Sequence, residues 1–483
     1  MAKVDEERSP GLDSRKIVCI VLDNPDRDLL GVGLLSSMLA QKGIDVVVVP
    51  MYDQQQHILN LMPDMVLLNY ARRANSAAIK RYKKFGIRVG VLDTEGGVLR
   101  CEYRELLDIV LNSGVKDCID DYFLWGTRQY EAFQKHLDSV NTSLYLTGCP
   151  RFDLYSERWS HLIRRPASID DDYVLIATSF SFNNPRFASR EREIENMREA
   201  MGLDRPLLKE MQFHADRALN GMVSLCRQTC ERYPNTTFVL RPHPFENDRM
   251  YLDGLSGVKN LHIRRDGSII SWLKYAGVLI QLNSSAAFEA QLLGKAVVSP
   301  EFFQDESLKV PVASECSVEA HSEEEYWDVL DHIIGKRFDA GVQDRVERVS
   351  VAFHKLVNDW IYKNDGRSSE RVAEALHKIV NGEQGQKKKW TWSARWYCHY
   401  VWVHAYHIVK CMLTKMVADR RYWNRFSKSF KAADFGAVMS YVEDEGIRMV
   451  DKPIYGGVSL WKSNAVLVKG GGGKGAAADV RCS

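Results

Sequence analysis

At 483 residues the chain is longer than one small domain needs, and two α/β domains with additional segments is the natural expectation. Hydrophobic residues at 45% and charged residues at 27% are an ordinary soluble balance, and a net charge of +2 excludes strong global steering while leaving room for a local basic patch. The ten cysteines are scattered and form no pair of CxxC motifs at zinc spacing, so they read as buried reduced thiols, including Cys226 and Cys230 one helical turn apart.

Residues Met1 to Arg15 are polar and charged, read as disordered, and resemble neither a signal peptide nor a spanning helix. Lys16 to Leu22 is an apolar β run, followed by a polar loop, Asp23 to Asp28, and a helix that closes at Gln41-Lys-Gly43. Asp45 to Val49, Met65 to Leu68 and Arg88 to Leu92 are further strands, with a helix from Ser76 to Phe85 before the last. Strand Phe123 to Trp125, helix Thr127 to His136 and strand Ser143 to Leu146 continue the alternation to Gly148 and Pro150, which read as punctuation between domains. Strands alternating with helices at this spacing imply a doubly wound parallel sheet.

The same grammar restarts at Tyr173 to Ala177, with a polar loop, Thr178 to Arg186, after that strand. A helix from about Asp216 to Tyr233 precedes strand Thr236 to Leu240. Val258 to Ile263, Val278 to Leu282 and Lys295 to Ser299 add strands, with a helix from Ala286 to Leu293 stopping at Gly294. Glu323 to Val380 is helical, broken by Gly335 and Gly341. The expected division is 16–160, 161–350, a helical return segment 351–384, a basic aromatic segment 385–431 and a tail 432–483.

The run Phe238-Val-Leu-Arg-Pro-His-Pro-Phe-Glu246 delivers Arg241, His243 and Pro244 onto the loop after a strand. Two prolines end the strand and hold the loop extended, so His243 can present a proton to a phosphate. Asn283-Ser284-Ser285 opens the helix after the next core strand, where hydroxyls and free N–H groups take an anion. Glu289, one turn on, suits ribose hydroxyls, and Thr178, Ser179, Arg186, Arg241 and Glu246 are further candidate contacts. In the first half, Asp93-Thr-Glu95-Gly96-Gly97 follows a strand, and a carboxylate there suits a general base facing an acceptor hydroxyl. Gly31-Val-Gly33 is weak as a phosphate loop, because the third glycine and a ribose-reading acid are missing.

Lys387 to Lys431 holds eleven Lys/Arg residues against one acid, Asp419, and five of the eleven tryptophans. That composition suits a helix in the headgroup layer of an anionic membrane. The alternative is a basic helix packed on the core. His399, His404 and His407 in it read as interface residues rather than metal ligands. No run of about 20 uncharged apolar residues occurs, so the chain is expected in the cytoplasm, peripheral to a membrane.

Val91-Leu-Asp-Thr-Glu-Gly-Gly97, Phe123-Leu-Trp-Gly126, Thr147-Gly-Cys-Pro-Arg-Phe-Asp153, Asn183-Asn-Pro185 and Leu240-Arg-Pro-His-Pro244 together resemble the bacterial surface carbohydrate biosynthesis family, from about Lys16 to Val380. More distantly, the His-Pro and Ser-Ser pairs with the acidic-Gly element are similar to CMP-dependent GT-B enzymes, the sialyl- and Kdo transferases. The resemblance implies a GT-B fold, two Rossmann-like domains facing across a cleft, to which the composition of 385–431 adds a C-terminal helical basic-aromatic extension. It implies that His243 and Pro244 hold CMP, that Ser284 and Ser285 hold its phosphate, and that Glu95 is the base. Gly96, Gly97 and Arg151 fall on the acceptor side. Thr94 replaces the first of two adjacent acids in the sialyltransferase element, which leaves the base open between Asp93 and Glu95.

The function so implied is transfer of a sugar from a nucleotide donor, a CMP-linked ulosonic acid, to a surface glycan or lipid-linked acceptor, with no cofactor and no metal. A nucleotide-sugar 2-epimerase, a teichoic-type polyol-phosphate transferase and a non-catalytic membrane scaffold are the alternatives. No nucleic-acid module accompanies the basic segment.

Overall fold

The structure is a computed structural model. It describes residues 15–94, 111, 113–137, 141–166, 169, 172–201, 203–382, 428–430, 432–436, 438, 440, 448–450 and 465–469. The chain forms two compact units, one from residues up to Leu154 together with the chain from Ile361 onward, the other from Tyr155–Trp360.

The first unit runs β1 (Ile17–Leu22), α1 (Pro25–Gln41), β2 (Asp45–Pro50), α2 (Gln54–Leu61), β3 (Met65–Leu68), α3 (Ser76–Lys84), β4 (Arg88–Leu92), β5 (Asp121–Leu124), α4 (Thr127–Leu137) and β6 (Ser143–Leu146). Strands such as Asp45-Val-Val-Val-Val-Pro50 are buried along their whole length, as strands covered on both faces must be. Asn24 caps α1 by accepting the Asp26 N–H, with Pro25 in the first turn and Asp26 and Asp28 at the positive end of the helix dipole.

The second unit continues with β7 (Tyr173–Ala177), α5 (Arg190–Met201), α6 (Arg205–Arg232), β8 (Phe238–Arg241), α7 (Arg249–Gly254), β9 (Leu261–Ile263), α8 (Ile269–Tyr275), β10 (Ala276–Gln281), α9 (Ala286–Leu292), β11 (Ala296–Pro300), α10 (Pro311–Glu315), β12 (Val318–Ala320), α11 (Glu323–Ile333) and α12 (Ala340–Ile361). All pairs in its sheet are parallel, in the order β12-β11-β10-β7-β8-β9. Its core joins Val174, Ile176, Phe238, Leu240, Val278 and Ile280 to Leu219, Met222 and Cys226 of α6. Helix α6 begins eleven residues before the Asp216 expected from sequence, because Asp204 caps it through the Leu207 N–H and Pro206 fits its first turn.

The chain then returns to the first unit as α13 (Ser368–Asn381). Asp153, 1% exposed, accepts the Ser368 and Ser369 N–H groups at 2.8 and 2.6 Å, and Arg371 Nε donates to the Thr147 carbonyl at 2.7 Å. Gly148 has φ +78°, and a Cβ there would stand 2.5 Å from Ser368 Oγ. The Thr147–Asp153 motif is therefore the anchor of the returning helix. Two more strands, β13 (Arg448–Val450) and β14 (Val466–Lys469), extend the first sheet antiparallel, giving the order β13-β14-β2-β1-β3-β4-β5-β6. The sequence alone reads as a tail there. Two parallel Rossmann-like α/β sheets with a return to the first unit are the make-up of the expected GT-B class.

Cys19, Cys149, Cys226, Cys230 and Cys316 are buried free thiols. Burial pushes the thiols of Cys149 and Cys230 up to about 12, which keeps them protonated. Among the described residues no helix is long and apolar enough to cross a membrane, and no group of His, Cys, Asp and Glu is placed to hold a metal ion.

Candidate functional site

In the second sheet β7 lies between β8 and β10, so the chain reverses its direction of winding there. Loops leaving the carboxyl ends of strands at such a switch point line the crevice where open α/β sheets bind ligands. Three candidate segments leave that end side by side: Thr178 onward, Pro242 to Glu246, and Leu282 to Ser285.

Glu246 joins the first two. It is fully buried, and its carboxylate accepts Thr178 Oγ1–H at 2.9 Å, the Phe180 N–H at 2.7 Å, the His243 N–H at 3.2 Å and the Tyr251 hydroxyl. Burial raises the carboxyl above its usual range, and these donors pull it back. Glu246 is thus a brace with no oxygen turned to a ligand, which corrects its reading as a donor contact. A bridge between Pro185 and Glu246 and the Arg186 N–H to Phe245 carbonyl bond, 2.8 Å, lock the same loops together.

From the other side Arg265 donates to the His243 and Glu246 carbonyls at 3.1 and 2.6 Å and pairs with Asp248. Arg241 donates to the Asp266 and Gly267 carbonyls at 2.6 and 2.9 Å and lies over the Trp272 ring. The loop between these clamps holds His243 half-buried and Pro244 exposed. His243 Nδ1 accepts the Phe245 N–H at 3.3 Å, so the neutral ring carries its proton on Nε2. A ring fixed in that tautomer is a hydrogen-bond donor at its outer nitrogen. Ser179 is half-buried and Arg186 exposed, its guanidinium over Phe187.

After β10, Asn283 takes φ +59° and exchanges two amide hydrogen bonds with Gln304 at 2.8 and 2.7 Å. Its oxygen also accepts the Val310 N–H at 3.0 Å. The Ser284 N–H donates to Gln281 Oε1, and Ser284 Oγ accepts the Ala286 N–H at 3.3 Å, while Ser285 is exposed. Glu289 is 5% exposed and accepts the Tyr155 hydroxyl.

In the first unit Asp93 is fully buried, with Arg72 Nη1 and Nη2 at 2.6 and 3.1 Å on its two oxygens and Tyr122 Oη at 3.2 Å. A carboxylate so neutralised is a structural anchor, which corrects its reading as a general base. Glu95, Gly96 and Gly97 lie outside the described residues. Arg151 is half-buried, its guanidinium 4.6 Å from the Phe152 ring centroid and 5.3 Å from that of Trp125. Gly31 and Gly33 are helical packing positions of α1, not a phosphate loop. Of 385–431 only 428–430 are described, and there Lys428 pairs with Asp23; His399, His404 and His407 lie outside.

Arg265, Arg72 and Tyr155 are site residues that the sequence does not single out. Arg72 meets Asp93 across 21 residues and Tyr155 meets Glu289 across 134, separations at which no local pattern carries a signal. Arg265 had one hint, its place in a basic pair just past a strand end.

No family profile matches the chain, and no curated protein does. Similar solved structures include the S. aureus MnaA–UDP co-structure, at 14% identity and TM-score 0.47, covering 76% of this chain and 97% of that one. A putative UDP-N-acetylglucosamine 2-epimerase from Listeria monocytogenes is similar at 13% identity and TM-score 0.48, covering 76% and 97%. The UDP-GlcNAc 2-epimerase of Methanocaldococcus jannaschii in complex with UDP-GlcNAc and UDP is similar at 13% identity and TM-score 0.46, covering 74% and 99%.

Proposed function

We propose that the chain is a nucleotide-sugar enzyme whose nucleotide phosphate sits on the loops leaving β7, β8 and β10. The observation that carries this reading is His243, half-buried at the switch point, its loop fixed by Glu246 and Arg265 and its ring held in the tautomer that carries the proton on Nε2. A preorganised donor at that place suits the charge that grows on a leaving phosphate. Ser179, Ser284 and Ser285 supply hydroxyls beside it, and Arg241 and Arg186 supply positive charge. Pro244, Asn283 and Glu289 shape the nucleotide side.

The reaction proposed first is glycosyl transfer from a CMP-linked ulosonic acid to a surface glycan or lipid-linked acceptor. Glu95 would then deprotonate the acceptor, with Gly96, Gly97 and Arg151 on that side, and residues 385–431 would hold the chain against the cytoplasmic face of an anionic membrane. A second reading is a one-substrate enzyme of the nucleotide-sugar 2-epimerase kind. The Arg72–Asp93 pair favours it, because it withdraws one of the two candidate acceptor bases.

Titration calorimetry with CMP, UDP, CDP and GDP tests the shared core of both readings. Binding of at least one nucleotide is expected, weakened about 10- to 100-fold in His243→Ala, the range for one hydrogen bond to a charged group. No binding, or equal binding by the variant, overturns the proposal. Incubating the nucleotide sugar without acceptor separates the two reactions, since a changed sugar in that mixture favours the epimerase kind.

A further inference from the structure

Strand β6 is the outermost strand at its end of the first sheet. The Ser143 and Thr147 N–H groups point inward, to the Asp120 and Leu124 carbonyls at 2.8 and 3.1 Å. Side alternation along a strand then turns the N–H and C=O groups of Leu144 and Leu146 outward. Those two residues line an open groove of about 630 Å³, with Tyr130 of α4 and Glu374, Lys378 and Ile379 of α13. Among the described residues nothing pairs with that edge. The edge also lacks several of the guards that proteins place on such strands. Ser143-Leu-Tyr-Leu146 has no proline, no lysine and no charge, and its four-residue register with β5 has no bulge.

We propose that the groove takes β6 of a second copy of this chain, antiparallel, about a two-fold axis through Tyr145. The axis sets Leu144 of each copy opposite Leu146 of the other. Both residues carry outward groups, so four N–H···O bonds form and the two sheets become continuous. Charge selects this occupant over an unrelated strand. Glu374 and Lys378 are exposed, one helical turn apart on the α13 rim of the groove. A two-fold axis reverses their order in the second copy, so each Glu374 faces a Lys378 and each Lys378 a Glu374. A surface whose charges complement themselves under rotation is what an isologous dimer requires.

Sedimentation velocity of the full chain over a concentration series tests this. The wild type is expected to dimerise. Glu374→Lys and Lys378→Glu each set like charges against one another and are expected to weaken the dimer tenfold or more. Both positions are exposed, so the variants fold. The double variant Glu374→Lys/Lys378→Glu restores the pairs and the dimer. Mixing the two single variants gives a heterodimer, because one then carries two lysines and the other two glutamates. A wild type that stays monomeric at tens of micromolar overturns the proposal. So do single variants that dimerise as the wild type does, or single variants that fail to pair when mixed.

Discussion

Arg72 grips Asp93 through both guanidinium Nη atoms, at 2.6 and 3.1 Å, and ties the loop after β3 to the end of β4. Asp93 is fully buried while Arg72 keeps 19% of its side chain in solvent. Replacing the acid by an amide removes the charge that faces a mostly buried cation and turns an NH2 group against one of the donors that Asp93 accepts. Breaking a buried pair from one side costs about 3–5 kcal/mol, and the exposure of Arg72 brings the expectation for Asp93→Asn to about 2–4 kcal/mol. Urea unfolding reads that loss. Glu95→Gln is expected to leave the urea midpoint unchanged and to reduce turnover. A folded, fully stable but inactive Asp93→Asn would return the base to Asp93.

Glu246 allows a sharper separation of folding from binding. Four donors converge on one carboxylate, and Gln would turn an NH2 group against at least one of them. Glu246→Gln is expected to cost about 1–3 kcal/mol, the penalty for a buried donor left unpaired. It should also loosen His243, so nucleotide affinity falls although no atom of Glu246 reaches a ligand. His243→Ala, by contrast, should lose affinity at nearly wild-type stability. Equal stability of Glu246→Gln and wild type in chemical denaturation would remove the brace from the account.

The core strands were legible because a parallel sheet buried on both faces writes continuous apolar runs. Met65–Leu68, Arg88–Leu92 and Tyr173–Ala177 stand where the sequence puts them. Helix α2 is hidden because Gln54-Gln-Gln-His has no apolar face at its start, and β13 and β14 because they are short runs outside the strand–helix alternation that marks the other strands. The candidate site divides in the same way. His243 was found through its flanking prolines, a local signal. The partners that decide what Asp93 and Glu246 do come from Arg72, Tyr122, Thr178 and Tyr251, brought together by the sheet order and not by spacing. A carboxylate after a strand reads identically from sequence whether it faces a substrate or an arginine.

Gly31 illustrates the same limit. Its sequence setting resembles a phosphate loop, yet a Cβ there would meet Arg151 N at 2.7 Å and Arg151 Cα at 2.8 Å, both backbone atoms that cannot rotate away. Gly31→Ala should therefore cost about 1–3 kcal/mol through overpacking, despite the better helix propensity of alanine. Nucleotide affinity should not change. A stabilised variant, or one that binds nucleotide more weakly at full stability, would contradict the packing role.

His57 in α2 supplies a pH test that depends on no ligand. Burial lowers its imidazole from 6.5 to about 4, because the folded surroundings disfavour the charged ring. The unfolded chain takes up a proton near 6.5 and the folded chain does not until about 4. Stability is then full above about 6.5, falls as the pH drops through that window, and levels off below about 4. The size is on the order of 2–3 kcal/mol, from 1.36 kcal/mol for each pH unit of displacement, less an allowance for the partial exposure of the ring. His57→Gln should flatten this slope between pH 6.5 and 4 relative to wild type, read as urea midpoints at matched ionic strength. Parallel pH profiles for the two proteins would show that the imidazole titrates equally in both states, and the burial of His57 would carry no energetic weight.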